Sequence, residues 1–351
     1  MNSDNKTSRP VPRVPDNAAP PHTATLTPLL FCGGPICGQK TLAAQLEGHP
    51  DIFSIPMWHD CTAAHLGYCL QRMNQSVPVD ELSQEYVKYL YFFKILNTAQ
   101  NTYEILQLAA QTGYMNFSLD SKRTVPVPFD FSFSSFSAGL FTDLRDAGFI
   151  KLPKHLPQHL PHFFHAIFKN LHAQVWNEAR PLPRYGASMM PVDFFRYELM
   201  QSIYPEAKCL FIRRDPIDAF AAIIVKNAQQ LNRSVDKFLH TYCNSDNALR
   251  IVKNMQRAEH VAKTQPNFML IIDFADLTLN TEQTLRKVCA HIDVEYMPIL
   301  QQATFLCKPI NPDIQSDIRP DIRPELNGQQ LDSLKKYVAY LRQRARQELG
   351  E

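Results

Sequence analysis

The sequence predicts an α/β fold in which a parallel β-sheet is flanked by helices. Three short apolar segments support this prediction, at residues 28–32, 209–212 and 268–274, and each leads into a segment with helical spacing. Strands that alternate with helices pair in parallel, because each helix crosses back over the sheet. Ligands of such sheets bind at the carboxyl ends of the strands, so the turns after these segments are the candidate site.

The first unit is a strand, a glycine-rich turn and a helix predicted over 39–47. Glycines allow the backbone to approach a ligand closely, and a helix N-terminus attracts negative charge. The turn is therefore a candidate phosphate-binding loop. Its candidate contacts are Gly33, Gly34, Gly38, Gln39, Lys40 and Thr41.

The second unit places two arginines after the strand at 209–212. Arg214 offers a planar fork that suits a phosphate group, whereas Arg213 is interpreted as a surface or strand-end charge. Asp215 is predicted to cap the following helix and Pro216 to occupy its first turn. Both turns can face the same crevice.

The loop differs from the common triphosphate-binding loop. That loop reads GxxxxGK[ST], whereas here Gln39 separates Gly38 from Lys40. No aspartate stands out as the partner for a nucleotide-bound metal. Both observations disfavour triphosphate chemistry, so a nucleotide or small-molecule kinase that uses Lys40 is kept only as a less favoured alternative.

Three segments together resemble the sulfotransferase family in order and distance. They read GGPICGQKTLAAQLEGHPDI from Gly33, YPEAKCLFIRRDPIDAF at 204–220 and LIIDFADLTLNTEQTLRKVCAHIDVEY at 270–296. The resemblance implies a P-loop NTPase-like sulfotransferase fold. It also implies that the co-substrate is 3'-phosphoadenosine-5'-phosphosulfate and that Arg214 binds its 3'-phosphate.

Several residues depart from the family pattern. Ile36 stands where the family has a basic residue, and Cys37 where it has serine. Gln39 and Lys40 replace its paired threonines, and Ala222 replaces a serine that follows the phosphate-binding arginine. A non-catalytic protein of the same fold, which keeps a nucleotide or partner site, is therefore a second alternative.

The resemblance places a catalytic base shortly after His49-Pro50, where His59 and Asp60 stand. Histidine titrates near neutral pH and suits this role, although His59 could instead be a structural residue beside Trp58. The charge on the departing phosphate oxygen is predicted to be neutralised by the hydroxyl of Thr41 or by Lys40. The alternative for Lys40 is a solvated position on the helix.

Two further site residues have structural alternatives. The pair Gly33-Gly34 could form only a tight strand–helix turn, and Arg214 could pair with Asp218 on its own helix.

The chain is predicted to contain a disordered, proline-rich leader at 1–27 and one sulfotransferase-like α/β domain at 28–351. Residues 57–190 are predicted to form a helical and aromatic insertion that shapes the acceptor pocket. Five histidines lie between 155 and 172, but Pro157 and Pro161 are expected to interrupt any regular helix there, so no metal site is predicted.

Composition limits the partners. Lys and Arg total 36 against 34 Asp and Glu, a net charge of +2 that argues against nucleic-acid binding. No apolar run is long enough to span a membrane. The eight cysteines form no CxxC pair, so we expect free thiols in a cytoplasmic protein. The acceptor, whether a small molecule or a macromolecule, and the oligomeric state are not predicted.

Overall fold

The computed structural model describes the region around the first strand, parts of the chain between 114 and 191, and most of the chain between 204 and 349. The described residues are 26–34, 36–54, 114–116, 124–126, 156–176, 180–191, 204–243, 246–305, 308–309 and 326–349, with single positions between 135 and 146 and at 201.

Five of the described strands form one parallel sheet. The strands are β1 (Thr27–Gly33), β2 (Ile52–Phe53), β3 (Tyr114–Asn116), β4 (Thr124–Pro126), β5 (Tyr185–Pro191), β6 (Lys208–Arg213), β7 (Met269–Asp273), β8 (Thr304–Phe305) and β9 (Lys308–Pro309). The sheet has the order β2-β5-β1-β6-β7, and all of its described pairings are parallel. The remaining strands form two short antiparallel pairs, β3–β4 and β8–β9.

Helices cover both faces of the sheet. They are α1 (Gln39–Leu46), α2 (Leu156–Trp176), α3 (Pro216–Gln230), α4 (Val235–Cys243), α5 (Asp246–Thr264), α6 (Phe274–Leu279), α7 (Thr281–His291) and α8 (Gly328–Leu349), with a 3₁₀ turn at Pro298–Gln301. The predicted class, a parallel sheet flanked by helices, is confirmed. In the part of the chain that the structure describes, no helix is both long and apolar enough to cross a bilayer.

Alternate residues of the central strand face opposite cores, as the pleat requires. Leu29 and Phe31 of β1 pack with α1, α6 and α7, whereas Leu30 and Cys32 pack with α2, α3, α5 and α8. All four side chains are fully buried. A strand buried on both faces appears in sequence as a continuous apolar run, which is why β1 was predictable.

The elements that carry the candidate site agree closely with the sequence prediction. The helix predicted over 39–47 is α1, and the strand predicted at 209–212 lies inside β6. Asp215 caps α3 as predicted, because its side chain accepts a hydrogen bond of 2.8 Å from the Ile217 N–H. Pro216 occupies the first turn of that helix.

The boundaries of two predicted segments need correction. Leu26 is buried and Thr27 begins β1, so these two residues belong to the folded domain and not to the predicted leader. Residues 185–190, placed in the predicted insertion, instead form most of β5, which lies between β1 and β2. Gly186 is needed there because a Cβ atom would lie 2.9 Å from the Phe168 ring. The rest of the domain assignment stays a prediction.

The histidine-rich segment forms a continuous helix, so the expectation that its prolines break it is wrong. Pro161 lies within α2, which runs from Leu156 to Trp176. Two of its histidines have structural contacts. The His165 Nδ1 accepts a hydrogen bond of 3.1 Å from the Leu26 N–H, and His172 packs edge-on against Phe53.

We expect His172 to make the fold sensitive to acid. Burial, and then the nearby Arg180, lowers the pKa of His172 from 6.5 to about 4. Between these two pKa values, His172 binds a proton in the unfolded chain but not in the folded protein. The stability that this group contributes is therefore lost as pH falls through this window. Between pH 7 and pH 4, the free energy of unfolding of His172→Phe should fall by on the order of 2 kcal/mol less than that of the parent. Denaturant unfolding at the two pH values measures this difference. Equal losses in both proteins would assign the acid sensitivity to other groups.

Candidate functional site

The turn after β1 lies against β6 with no room for a side chain at its first glycine. A Cβ atom on Gly33 would lie 2.7 Å from the main-chain oxygen of Ile212. The close approach of the two backbones therefore requires glycine and holds the start of the loop at the carboxyl edge of the sheet. This packing explains Gly33 without a ligand, so its contact with a nucleotide stays a prediction. Gly34 is less restricted, since its Cβ would lie 3.2 Å from the Cys37 sulfur.

Gly38 begins helix α1 in a conformation that other residues rarely adopt. Its φ is +86°, in the left-handed region, and a Cβ atom would lie 2.8 Å from the Phe274 ring. The first bond of the helix runs from the Leu42 N–H to the Gly38 carbonyl, at 3.0 Å. The N–H groups ahead of Leu42 point out of the helix N-terminus, toward the position where such helices bind anions.

Ile36 holds the tip of the loop in a strained conformation. Its φ is +55°, which is rare for a β-branched residue, and 41% of the residue is exposed. Such backbone strain persists only where surrounding contacts impose it. One such contact is a hydrogen bond to the Ile36 carbonyl from Arg214.

Arg214 connects the loop to the turn after β6. Its Nη1 donates a hydrogen bond of 2.9 Å to the Ile36 oxygen, and its guanidinium carbon lies 4.9 Å from the centre of the Phe274 ring. Only 7% of the residue is exposed, and this burial lowers the pKa of Arg214. The negative charge of Asp218 acts in the opposite direction and raises this pKa. A pairing of Arg214 with Asp218 stays a prediction. An arginine in this position stays positively charged.

Cys37 is part of the interior of the loop. Burial raises the pKa of its thiol to about 12, even though Arg214 and backbone hydrogen bonds with Gly34 and Arg214 act to lower it. The thiol therefore stays protonated at neutral pH and does not act as a nucleophile. Its role is to pack the loop against the turn that carries Arg214.

The three residues at the start of α1 differ in their surroundings. The Gln39 side chain reaches back to the strand, where its Nε2 donates to the Phe31 carbonyl at 3.3 Å and to that of Gly33 at 3.5 Å. Thr41 is buried, with 9% exposed. The backbone of Lys40 lies in the first turn of α1, but its side chain lies outside the described residues. The predicted ligand contacts of these residues stay predictions.

The two candidate bases, His59 and Asp60, lie outside the described residues. The histidine that precedes them, His49, has a structural role. Its Nδ1 accepts a hydrogen bond of 3.0 Å from the Asp51 N–H, so Nε2 carries the proton and donates to the Glu295 carbonyl at 2.8 Å. His49 thus fixes the chain that leads into β2.

An ion cluster fixes the ends of β6 and β7 beside the loop. Arg213 forms two hydrogen bonds with Asp273, from Nε at 2.7 Å and from Nη2 at 2.9 Å, and a third with Glu259 at 3.1 Å. The bonds with Asp273 are the main cause of a raised pKa for Arg213. The interpretation of Arg213 as a strand-end charge is confirmed, and its partners join two strands to α5.

A cleft of about 400 Å³ opens at this edge of the sheet. Its wall includes Arg213, Arg214 and Asp215 from the turn after β6, and Arg342 and Arg346 from α8. A volume of this size is in the range of small-molecule sites. The cleft brings together basic side chains of the turn after β6 and of α8, which are far apart in the sequence.

The sequence prediction missed several residues of this region. Phe274 contacts both Gly38 and Arg214, and Arg342 and Arg346 line the cleft. The spacing of the two α8 arginines, four residues apart, places both on one helical face and was a usable signal. Nothing in the sequence indicated that this face meets the candidate loop.

Comparisons with known proteins agree with the resemblance. A family model described as the sulfotransferase family matches residues 32–298. No curated protein matches the chain in sequence.

Similar solved structures include three sulfotransferases. The sulfotransferase domain of the Synechococcus PCC 7002 olefin synthase is 14% identical, with a TM-score of 0.40, over 92% of this chain and 97% of that one. The sulfotransferase domain from the curacin biosynthetic pathway is 12% identical, with a TM-score of 0.43, over 90% and 99%. Sulfotransferase STF9 from Mycobacterium avium is 12% identical, with a TM-score of 0.41, over 93% and 76%.

Proposed function

Because the chain belongs to the sulfotransferase family, we propose that it transfers a sulfuryl group from 3'-phosphoadenosine-5'-phosphosulfate to a hydroxyl or amine acceptor. One observation carries the proposal: the glycine loop and Arg214 lie side by side at the carboxyl edge of the sheet, joined by the hydrogen bond to Ile36. A helix N-terminus and a guanidinium are both strong anion-binding groups. One ligand with two separated anionic groups could contact both.

The donor nucleotide has such groups at its two ends. In the proposal its 5'-phosphosulfate lies on the loop at Gly34, Gly38 and the first turn of α1, and its 3'-phosphate lies near Arg214. The N–H groups of the first turn of α1, which have no partner within the helix, support an anion at this position. The proposal requires no metal ion, since a sulfuryl group carries less charge than a terminal phosphoryl group.

The proposed reaction is one displacement at sulfur. The acceptor oxygen or nitrogen forms a bond to sulfur while the bond from sulfur to the phosphate oxygen breaks, and adenosine 3',5'-bisphosphate departs. His59 or Asp60 takes the acceptor proton. Lys40 neutralises the negative charge that develops on the departing phosphate oxygen, as the N-terminus of α1 does in part.

Calorimetry of the purified full chain tests the proposal. We expect adenosine 3',5'-bisphosphate to bind at least about tenfold more tightly than ATP with Mg²⁺, because only the bisphosphate places a phosphate at Arg214. Tighter binding of ATP with Mg²⁺ would contradict the proposal and favour the kinase alternative.

A transfer assay separates the enzyme from a non-catalytic protein of the same family. Labelled donor would be supplied with phenol, alcohol, amine and sugar acceptors, and transfer to at least one class is expected. Tight bisphosphate binding without transfer to any class would favour a binding protein.

We also propose a cytoplasmic location, which the state of the thiols supports. Cys32, Cys37, Cys209 and Cys289 are buried, and none of them forms a disulfide with another described residue. Buried free thiols are typical of proteins in reducing compartments.

A further inference from the structure

The cleft beside the candidate loop is lined by several arginines, and these differ in the contacts that they make within the protein. It lies at the carboxyl ends of β6 and β7, and its wall includes four arginines and the carboxylates Asp215, Glu259 and Asp273. Arg213 is engaged by Asp273 and Glu259, and Arg214 by the Ile36 carbonyl. The two carboxylates offset the charge of Arg213, whereas the neutral Ile36 carbonyl does not offset the charge of Arg214. The arginines of α8 add to that positive charge.

The two α8 arginines differ in how they are held. The Arg342 Nη2 lies 3.5 Å from the Asp215 carboxylate, and both side chains are about half exposed, so this pair is weak. Arg346 lies one helical turn further along and also lines the cleft. No carboxylate among the described residues forms an ion pair with Arg346. Its guanidinium is available to an anion that enters the cleft.

The rest of the wall is consistent with a ligand that is only partly charged. Val252 and Met255 of α5 line the cleft with buried apolar surface, at 2% and 6% exposure. Gln256 donates through Nε2 to the main-chain oxygen of Arg342, at 3.4 Å, which ties α5 to α8. Apolar surface beside guanidinium groups suits a phosphate attached to an organic group better than it suits a free ion.

We propose that Arg346, supported by Arg342, binds a phosphomonoester group in this cleft, and that this group is the 3'-phosphate of the donor nucleotide. This inference rests on the proposed function. A phosphomonoester carries close to two negative charges at neutral pH, and it needs more than one cation to be held away from water. Arg214 contacts the group from the sheet and Arg346 from the last helix, so α8 completes the nucleotide site.

Calorimetry with two nucleotides tests the role of Arg346. The probes are adenosine 3',5'-bisphosphate and adenosine 5'-monophosphate, which differ only in the 3'-phosphate. Arg346→Ala should weaken the bisphosphate about tenfold and the monophosphate less than about twofold, because one charge-assisted contact to the 3'-phosphate is lost. Arg346→Lys keeps the charge but not the fork, and should weaken the bisphosphate by an intermediate factor of about three.

Arg344 supplies a matched control on the same helix. It pairs with Glu348 at 3.0 Å, is about half exposed and does not line the cleft. Arg344→Ala should leave both affinities unchanged, which would separate a local contact from a general loss of positive charge.

Three outcomes would overturn the inference. Parent-like binding of the bisphosphate by Arg346→Ala would remove Arg346 from the site, and an equal loss for both nucleotides would show that it contacts another group. A larger loss for the monophosphate than for the bisphosphate would place Arg346 at the 5'-phosphate instead. Failure of the parent to prefer the bisphosphate over ATP with Mg²⁺ appears before any variant is made, and it would remove the proposed function itself.

Discussion

Replacement of Lys40 by methionine is expected to lower the rate of sulfuryl transfer by about a hundredfold or more. Negative charge develops on the departing phosphate oxygen, and Lys40 is the only residue of the loop and the first turn of α1 with a positive charge. The family's usual basic residue is Ile36 here and cannot neutralise it. The N-terminus of α1 contributes only about 1 kcal/mol at an exposed site. Methionine keeps the length and apolar character of the side chain, so the helix should form as in the parent.

The measurement is steady-state transfer together with calorimetry of the product, adenosine 3',5'-bisphosphate. A contact made mainly in the transition state lowers turnover much more than it weakens product binding. Lys287→Met, on the exposed surface of α7, is the control and should transfer at the parent rate. Unimpaired transfer by Lys40→Met would remove Lys40 from the mechanism.

Replacement of Arg214 by alanine is expected to reduce both stability and nucleotide binding. The variant loses the hydrogen bond that holds the Ile36 carbonyl and the contact with the Phe274 ring, at a cost of about 2–3 kcal/mol in the free energy of unfolding. If the 3'-phosphate also binds here, the affinity for adenosine 3',5'-bisphosphate falls by a further ~2 kcal/mol, while that for adenosine 5'-monophosphate changes little. Denaturant unfolding and calorimetry measure the two effects separately.

Arg286 provides the comparison for stability. Its guanidinium carbon lies 4.0 Å from the centre of the Tyr296 ring and it pairs with Glu282, but its side chain is 57% exposed. Exposed contacts of this kind contribute less than about 1 kcal/mol, so Arg286→Ala should unfold close to the parent. If Arg214→Ala loses equal affinity for both nucleotides, Arg214 only maintains the loop and does not contact the 3'-phosphate.

Segments with strong local signals were predictable. The buried runs of β1 and β6, the glycine that starts α1 and the Asp215 cap each depend on neighbours within a few residues, and all were predicted. β5 has no such signal, because RYGASMMP mixes arginine, glycine and serine with apolar residues. It is a strand because β1 and β2 supply hydrogen-bonding partners on both sides and because α2 packs on Gly186.

The candidate site also contains some features that the sequence predicts and others that only the tertiary structure fixes. By itself the sequence determined the α/β class, the glycine loop that ends in α1, and the arginine that follows the second strand. The tertiary structure alone decided that Arg214 is buried against Ile36 and Phe274, that the Cys37 thiol is held protonated, and that α8 brings Arg346 to the same edge of the sheet. These contacts join residues far apart in the chain, and their geometry depends on how helices pack on the sheet, which no local pattern of residues encodes.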